Sequence, residues 1–452
     1  MPVVDPGFLK ALIDRASQDA GLTAQDLIFV SLARERNIPV VAIPDVPSLL
    51  LFGQGRHGRL MRSGANDRDS AIGTAIAVNK AWTNAVIARL GYPSVRHVLV
   101  RDENQAIAAA GVIGFPLVVK PVASGMGKGV CADVRTLDEC RRAYHAAAKH
   151  ALRGVLIEGH VPGDDHRLAV FGGRLAWVVL RRPASVTGDG SRSIEALIAD
   201  ENARRNALPA SEKGGRYPIK VDAELRHHLQ KQGLELESVV ADGQLVRLGS
   251  VANVARGGTY EDVTQRVHPD NVAMAEGIAS ALRMDAIGID FLTPDITRSW
   301  REVPSAVIEV NETPGAGTAH YCGRVLDRLF NEGIETRVEF ILLANLSARA
   351  LPDDVLARSR RRGGAVGFLS ATRTLIDGHA IGHDGQSLNA RMLSLLLDSR
   401  IGTIVASLGL DDLIREGILL DRVDHAVIGP GLPPQIQALI RAHARVVEMV
   451  GE

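Results

Sequence analysis

The feature that most limits how this chain can fold is a glycine-rich segment set between two strand-like runs. Phe115-Pro116-Leu117-Val118-Val119-Lys120-Pro121 reads as a largely apolar strand, and Ala123-Ser124-Gly125-Met126-Gly127-Lys128-Gly129-Val130 follows it. Gly125, Gly127 and Gly129 let backbone N–H groups close on phosphate oxygens with no Cβ in the way. The spacing Gly-x-x-x-x-Gly-Lys-Ser/Thr is absent here, so the segment is not a P-loop. Nor does it open a helix as a dinucleotide-binding fingerprint does. A hairpin flap over a polyphosphate fits the strand–glycine–strand order, with Lys120 and Lys128 as its two cations. Taken alone, a purely structural glycine hairpin fits about as well.

Around this segment strands and helices alternate. Aromatic residues are only 4% of the 452, so the cores must rest on Ala, Val, Leu and Ile. That palette suits helices packed on buried strands, and the length implies several domains. Leu27 to Ala33 and Ile38 to Ile43 read as strands or short buried segments. Ser70 to Leu90 is an Ala-rich helical stretch stopped by Gly91 and Pro93. Arg167 to Arg182 is expected to form a hairpin turning at Gly172-Gly173. Ala286 to Leu292 and Ala306 to Val310 read as strands, and Ile334 to Leu346 as a helix. Leu351 to Gly364, with Pro352 and the solvated run Arg358, Arg360, Arg361 and Arg362, is the expected domain boundary.

Charge and cysteine content exclude several classes. Lys plus Arg is 52 and Asp plus Glu is 52, so no global field holds nucleic acid or an anionic membrane. Three cysteines are too few for a disulfide framework and show no metal spacing. With no apolar run near ~20 residues and no basic–apolar leader, the expected location is the cytoplasm.

A second chemical feature is Ile308-Glu309-Val310-Asn311, with Asp290 at the end of an earlier strand. Strand period places Glu309 and Asn311 on one face. With Asp290 on the neighbouring strand, three oxygen donors converge, a set that suits Mg²⁺ beside nucleotide phosphates. The plainer reading is a strand end with surface carboxylates, but buried acids need partners.

In chain order these features resemble the ATP-grasp ligase family, and within it the ATP-grasp half of the cyanophycin synthetases, from about Phe52 to Leu346. The strings that carry the resemblance are Asn79-Lys80-Ala81-Trp82-Thr83, Val119-Lys120-Pro121, Gly127-Lys128-Gly129-Val130 and Gly163-Asp164-Asp165-His166-Arg167. Further along come Arg182-Pro183-Ala184, Gly188-Asp189-Gly190, Asn253 with Gly257-Gly258, and Asp262-Val263-Thr264. The resemblance implies an α/β ATP-grasp fold of three subdomains with a small appended C-terminal α/β domain. The divisions expected are an N-terminal α/β domain over 1–115, a flap subdomain over 116–185, a C-terminal subdomain over 186–350, and an appended domain over 365–452.

It also implies roles. Lys120 and Lys128, with Gly125 and Gly127, would meet ATP phosphates, and Lys80 would stand in for the lysine the family often has where this chain has Asn84. Glu158 and the backbone at His160 and Val161 would meet adenine, and Asp165 the ribose. Arg167 and Asn253 would face the reacting groups, while Asp290, Glu309 and Asn311 would hold Mg²⁺. The C-terminal stretches Ile414-Arg415-Glu416-Gly417 and Val423-Asp424-His425-Ala426-Val427 resemble part of a Mur-ligase-like domain. It lacks the phosphate loop and has Ser407 in place of a glutamate, so it reads as a remnant without a nucleotide site of its own.

The activity implied is ATP-dependent carboxylate–amine ligation through an acyl phosphate, releasing ADP and phosphate, on amino acids or short peptides. The alternatives are a non-catalytic nucleotide-binding scaffold and an ATP-grasp carboxylate kinase or thioester-forming enzyme. No nucleic-acid or membrane partner is expected, and the family implies a homodimer. His57, His166, His320 and Cys322 show no nucleophile or metal spacing and read as packing or surface residues.

Overall fold

The structure, a computed structural model, describes residues 21–122, 129–151, 153–208, 217–249, 252, 256–315, 318–330, 333–346, 363–382 and 385–450. The chain forms two compact units: Met1–Arg62 with Phe330–Glu452, and Ser63–Leu329.

The unit built from both chain ends holds a seven-stranded sheet. Its strand order is His379–Ala380, Thr374–Ile376, Ala365–Ser370, Ile401–Leu408, Glu339–Ala344, Val423–Ile428, Ala444–Met449. The last five run parallel to one another. The first four of these are buried along nearly their whole length, as strands covered on both faces are, while Ala444–Met449 at the edge is largely exposed. Leu342, Leu369, Leu395, Ile404 and Ile428 share one core there, with the helix Leu388–Leu397 laid against it.

Two sequence expectations fail in this unit. Ile334 to Leu346 is not a helix: Glu339–Ala344 is a strand, buried along its whole length between two parallel neighbours. A short apolar run bounded by polar residues has no period with which to tell the two apart. Leu27 to Ala33 is not a strand but lies in the helix Ala24–Glu35. Thr23 and Asp26 cap that helix reciprocally, and Phe29 and Ala33, four apart, are buried. The compact units also divide the chain elsewhere than the sequence partition does. The expected boundary at Leu351–Gly364 lies largely outside the described residues, and the central strand of the C-terminal sheet precedes it.

The second unit has three cores. A four-stranded antiparallel sheet runs His97–Val100, Val155–Gly159, Leu117–Pro121, Cys131–Val134, and the helices Glu103–Ile113 and Leu137–Ala148 cover it. A five-stranded antiparallel sheet runs Thr259–Asp262, Arg174–Arg182, Asp164–Phe171, Ala286–Thr293, Ala306–Asn311. One face of it packs on the helix Pro269–Leu282 through Leu168, Val170, Ile287 and Phe291. The third core lies within residues 184–248, around the helices Ile194–Ala207 and Ala223–Lys231.

The helical stretch from Ser70 is two helices, Ala71–Ala77 and Lys80–Arg89. Asn79 caps the second, its Oδ1 accepting from the N–H groups of Ala81 and Trp82 at 3.1 and 3.2 Å. The predicted hairpin is present, turning at Gly172-Gly173. Among the described residues no helix is long and apolar enough to cross a membrane.

Candidate active site

The open face of the five-stranded sheet carries the chemistry. Strand alternation sends His166, Leu168 and Val170 into the core and leaves Asp165 and Arg167 on the other side. Cross-strand pairing then sets Val179, Arg167, Asp290 and Glu309 directly opposite one another over four strands. The next row holds Arg181, Asp165 and Leu292.

Cations and carboxylates are neighbours in these rows, with Asp290 and Glu309 side by side. Arg167 Nε lies 2.6 Å from Asp290 Oδ1 and Arg181 Nη2 lies 3.0 Å from the same oxygen. Arg181 also donates to Asp165 Oδ1 at 2.7 Å. Lys80, the first residue of its helix, reaches across to donate to Glu309 Oε1 at 3.0 Å. Burial alone would raise the pKa of Asp290, but the two guanidiniums outweigh it and hold the carboxyl below its ordinary value. Asp165 goes the other way. Burial and the nearby charge of Asp290 prevail over Arg181, and its pKa is pushed up to about 6.

Lys120 and Glu158 belong to the four-stranded sheet and pair at 2.8 Å, both almost wholly buried. Lys120 Nζ also donates to the carbonyl of Ile308 at 3.3 Å, next to Glu309. One ammonium therefore ties the two sheets together at the site. His160 follows Glu158 as an exposed residue whose N–H donates to Pro116 O at 3.1 Å, and Val161 is half-buried. Asn311, two residues beyond Glu309, sits opposite Gly288, with its Nδ2 3.5 Å from the Gly288 carbonyl.

Gly288 shows why local sequence matters. A Cβ there would collide with Arg167 Nη1 and stand 2.9 Å from the Thr313 carbonyl. Its bare backbone is the floor on which the guanidinium lies. Gly163 opens the Asp164–Phe171 strand at φ +141°, where a Cβ would press on the backbone of Thr293.

The structure thus gathers Lys80, Lys120, Glu158, Asp165, Arg167, Asp290, Glu309 and Asn311 within one unit. Gly125, Gly127, Lys128 and Asn253 lie outside the described residues. Asn84 is spent on the fold, donating from Nδ2 to Val95 O at 2.7 Å. The Asp262-Val263-Thr264 string is structural as well. Thr264 Oγ1 accepts from Val178 N–H, and Asp262 accepts from Tyr321 OH at 3.1 Å while Tyr321 stacks on Trp177.

Sequence reasoning missed Arg181. Counting back from the turn pairs Asp165 with Leu180, but a bulge at Ala176 shifts the register by one and brings Arg181 to the face instead. The charge at a strand end was visible, and the bulge was not. Among the described residues no group of three or more His, Cys, Asp and Glu side chains is placed to hold a metal ion. The oxygen set here is two carboxylates and one amide.

Together, two antiparallel sheets and a charged face between them define the ATP-grasp fold. No family model matches the chain. It is nonetheless similar to the cyanophycin synthetases over most of its length. The protein of that name from Crocosphaera subtropica is 28% identical over 96% of this chain and 52% of its own length. The "Glutathione biosynthesis bifunctional protein GshAB" of Mannheimia succiniciproducens is 30% identical over 65% of this chain and 39% of its own. Among solved structures, a bifunctional glutathione synthetase from Pasteurella multocida superposes with a TM-score of 0.51 at 24% identity, covering 69% of this chain and 44% of that one. The chain spans about half the length of the cyanophycin synthetases it matches.

Proposed function

We propose that this chain is an ATP-dependent carboxylate–amine ligase that forms an amide or peptide bond on amino-acid or short-peptide substrates. The observation that carries the proposal is the row Arg167–Asp290–Glu309 with Lys80 above it and Lys120 beside it. Such a face offers cations for phosphates and carboxylates next to oxygen donors for a divalent ion. The names of its relatives, a cyanophycin synthetase and a glutathione biosynthesis protein, support the same reading.

In the proposed reaction a substrate carboxylate oxygen attacks the γ-phosphorus of ATP, and the bond to the bridging oxygen breaks with ADP leaving. The amine nitrogen of the second substrate then attacks the acyl carbon. The carbon–oxygen bond breaks, phosphate leaves with its electron pair, and the amine loses a proton. The residues contribute charge and placement. Lys120 and Lys80, with Lys128 and the glycines Gly125 and Gly127, would hold phosphate oxygens. Glu158, with the backbone at His160 and Val161, would meet the adenine, and Asp165 the ribose. Arg167 and Arg181 would steady the acyl phosphate, with Asn253 bordering the acceptor.

Asp290, Glu309 and Asn311 fit Mg²⁺ by chemistry, since all three offer oxygen and the two acids are directly opposed on neighbouring strands. The ion would neutralise polyphosphate charge; Asp290 would then exchange guanidinium contacts for it. A homodimer in the cytoplasm is part of the proposal, and sedimentation tests its first half.

Measuring ADP release against a panel of carboxylates, with and without amines, tests the reaction. A ligase needs both substrates. Release without amine would make the chain a carboxylate kinase, and no release on any pair would leave a nucleotide-binding scaffold.

A further inference from the structure

A cavity of about 500 Å³ lies in the unit formed by Met1–Arg62 and Phe330–Glu452, away from every residue assigned above. It opens at the amino ends of the parallel strands. Glu339, Gly402, Asp424 and Arg445 all stand at or near the start of theirs. Ligands of open α/β sheets ordinarily sit at the carboxyl ends, so the fold alone does not point here. Its volume is that of a small-molecule site.

Four arginines line it against three carboxylates. The arginines that matter are loosely held. Arg422 Nη2 stands 3.2 Å from Asp424 and 3.7 Å from Glu335, and Arg445 Nη1 stands 3.5 Å from the same Asp424 oxygen. A charge-assisted hydrogen bond to carboxylate is about 2.7–2.9 Å. Asp424 is anchored through its other oxygen, which accepts the Phe340 N–H at 3.0 Å. Two guanidiniums on the lining therefore share one anchored carboxylate oxygen, neither of them at the distance of a charge-assisted hydrogen bond.

Two further groups border the cavity. His425 is 94% buried on the lining, with its Nε2 3.0 Å from Glu448 Oε1. Arg56 is placed by a glycine pair. It donates to Gly363 O at 2.8 Å, and its Cδ lies where a Cβ on Gly402 would crowd it.

We propose that this cavity binds a small dianion with several oxygen acceptors, a phosphate-bearing compound or a dicarboxylate, between Arg422, Arg445 and Arg56. Guanidinium forks match both kinds of oxyanion.

The test is calorimetry on the full chain with inorganic phosphate, succinate and acetate. Saturable binding of phosphate or succinate is expected, with acetate at least tenfold weaker. Phosphate alone would name a phosphate-bearing ligand, and succinate alone a dicarboxylate; either supports the site. Arg422→Gln and Arg445→Gln should each weaken it at least tenfold. Arg445 is mostly exposed, so its variant keeps the test open if Arg422→Gln fails to fold. Arg174→Gln, which removes an exposed cation from the other unit, should bind as the parent does. No saturable binding, equal binding of acetate, or parental binding in both arginine variants Arg422→Gln and Arg445→Gln would overturn the proposal.

Discussion

The Lys120–Glu158 pair joins stability to chemistry in two side chains. Lys120→Met leaves Glu158 buried without its countercharge, and breaking a buried pair in this way costs about 3–5 kcal/mol. Replacing both partners, Lys120→Met with Glu158→Leu, should recover most of that stability by urea unfolding while ADP release stays lost. If turnover returned with stability, Lys120 would be a structural residue only. His166, by contrast, faces the core. Burial lowers its pKa despite its bond to the Asp164 carbonyl, so the folded state prefers neutral imidazole. The stability this supplies is present above the ordinary histidine value of about 6.5 and is lost as pH falls through the lower folded value. The Tm of the parent should therefore drop faster than that of His166→Gln between pH 7 and pH 5. Parallel curves would refute the assignment. Lys120, Asp290 and Glu309 could be read from sequence because each ends or sits in an apolar strand where only a partnered charge survives. Their partners could not, since Lys80 and Glu309 are 229 residues apart.

At the level of elements, register decides which charges meet. Glu309 and Asn311 were legible as one face because strand period is two, and the Gly172-Gly173 turn fixed a hairpin. Arg181 escaped because one extra residue at Ala176 reverses the faces beyond it. Apolar runs without period were misread in both directions, Ile334 to Leu346 as a helix and Leu27 to Ala33 as a strand or short buried segment. Only the pairing of the first and the Thr23–Asp26 cap of the second settle them. Gly288 offers the sharpest test of strand geometry. Gly288→Ala puts a methyl where Arg167 lies, and the Thr313 backbone behind it cannot yield as a side chain can. Arg167 must leave its position beside Asp290. Turnover should fall at least tenfold, about 1.4 kcal/mol of transition-state stabilisation, with the KM for ATP changed less than kcat. A variant with parental kcat would show that the guanidinium is not needed where it lies.

Over the whole chain, the order of motifs from Lys80 to Asn311 was legible because each is a local string. The assembly of one unit from both chain ends was not, because parallel pairing joins strands far apart in sequence. That assembly makes a prediction about where the chain can be cut. Residues 365–452 look like an appendage in sequence, yet they supply both neighbours of Glu339–Ala344. All six residues of that strand are buried. A chain ended at Gly364 would expose two unpaired strand edges and the apolar side chains of Phe340, Ile341, Leu342 and Leu343. Residues 63–329, in contrast, carry the five-stranded sheet and the sheet of Lys120 and Glu158 entire, with their own cores. The 1–364 fragment should aggregate, whereas the 63–329 fragment should stay soluble and unfold cooperatively. A soluble, monomeric 1–364 fragment with a cooperative transition equal to that of the full chain would mean that the C-terminal strands are an appendage after all.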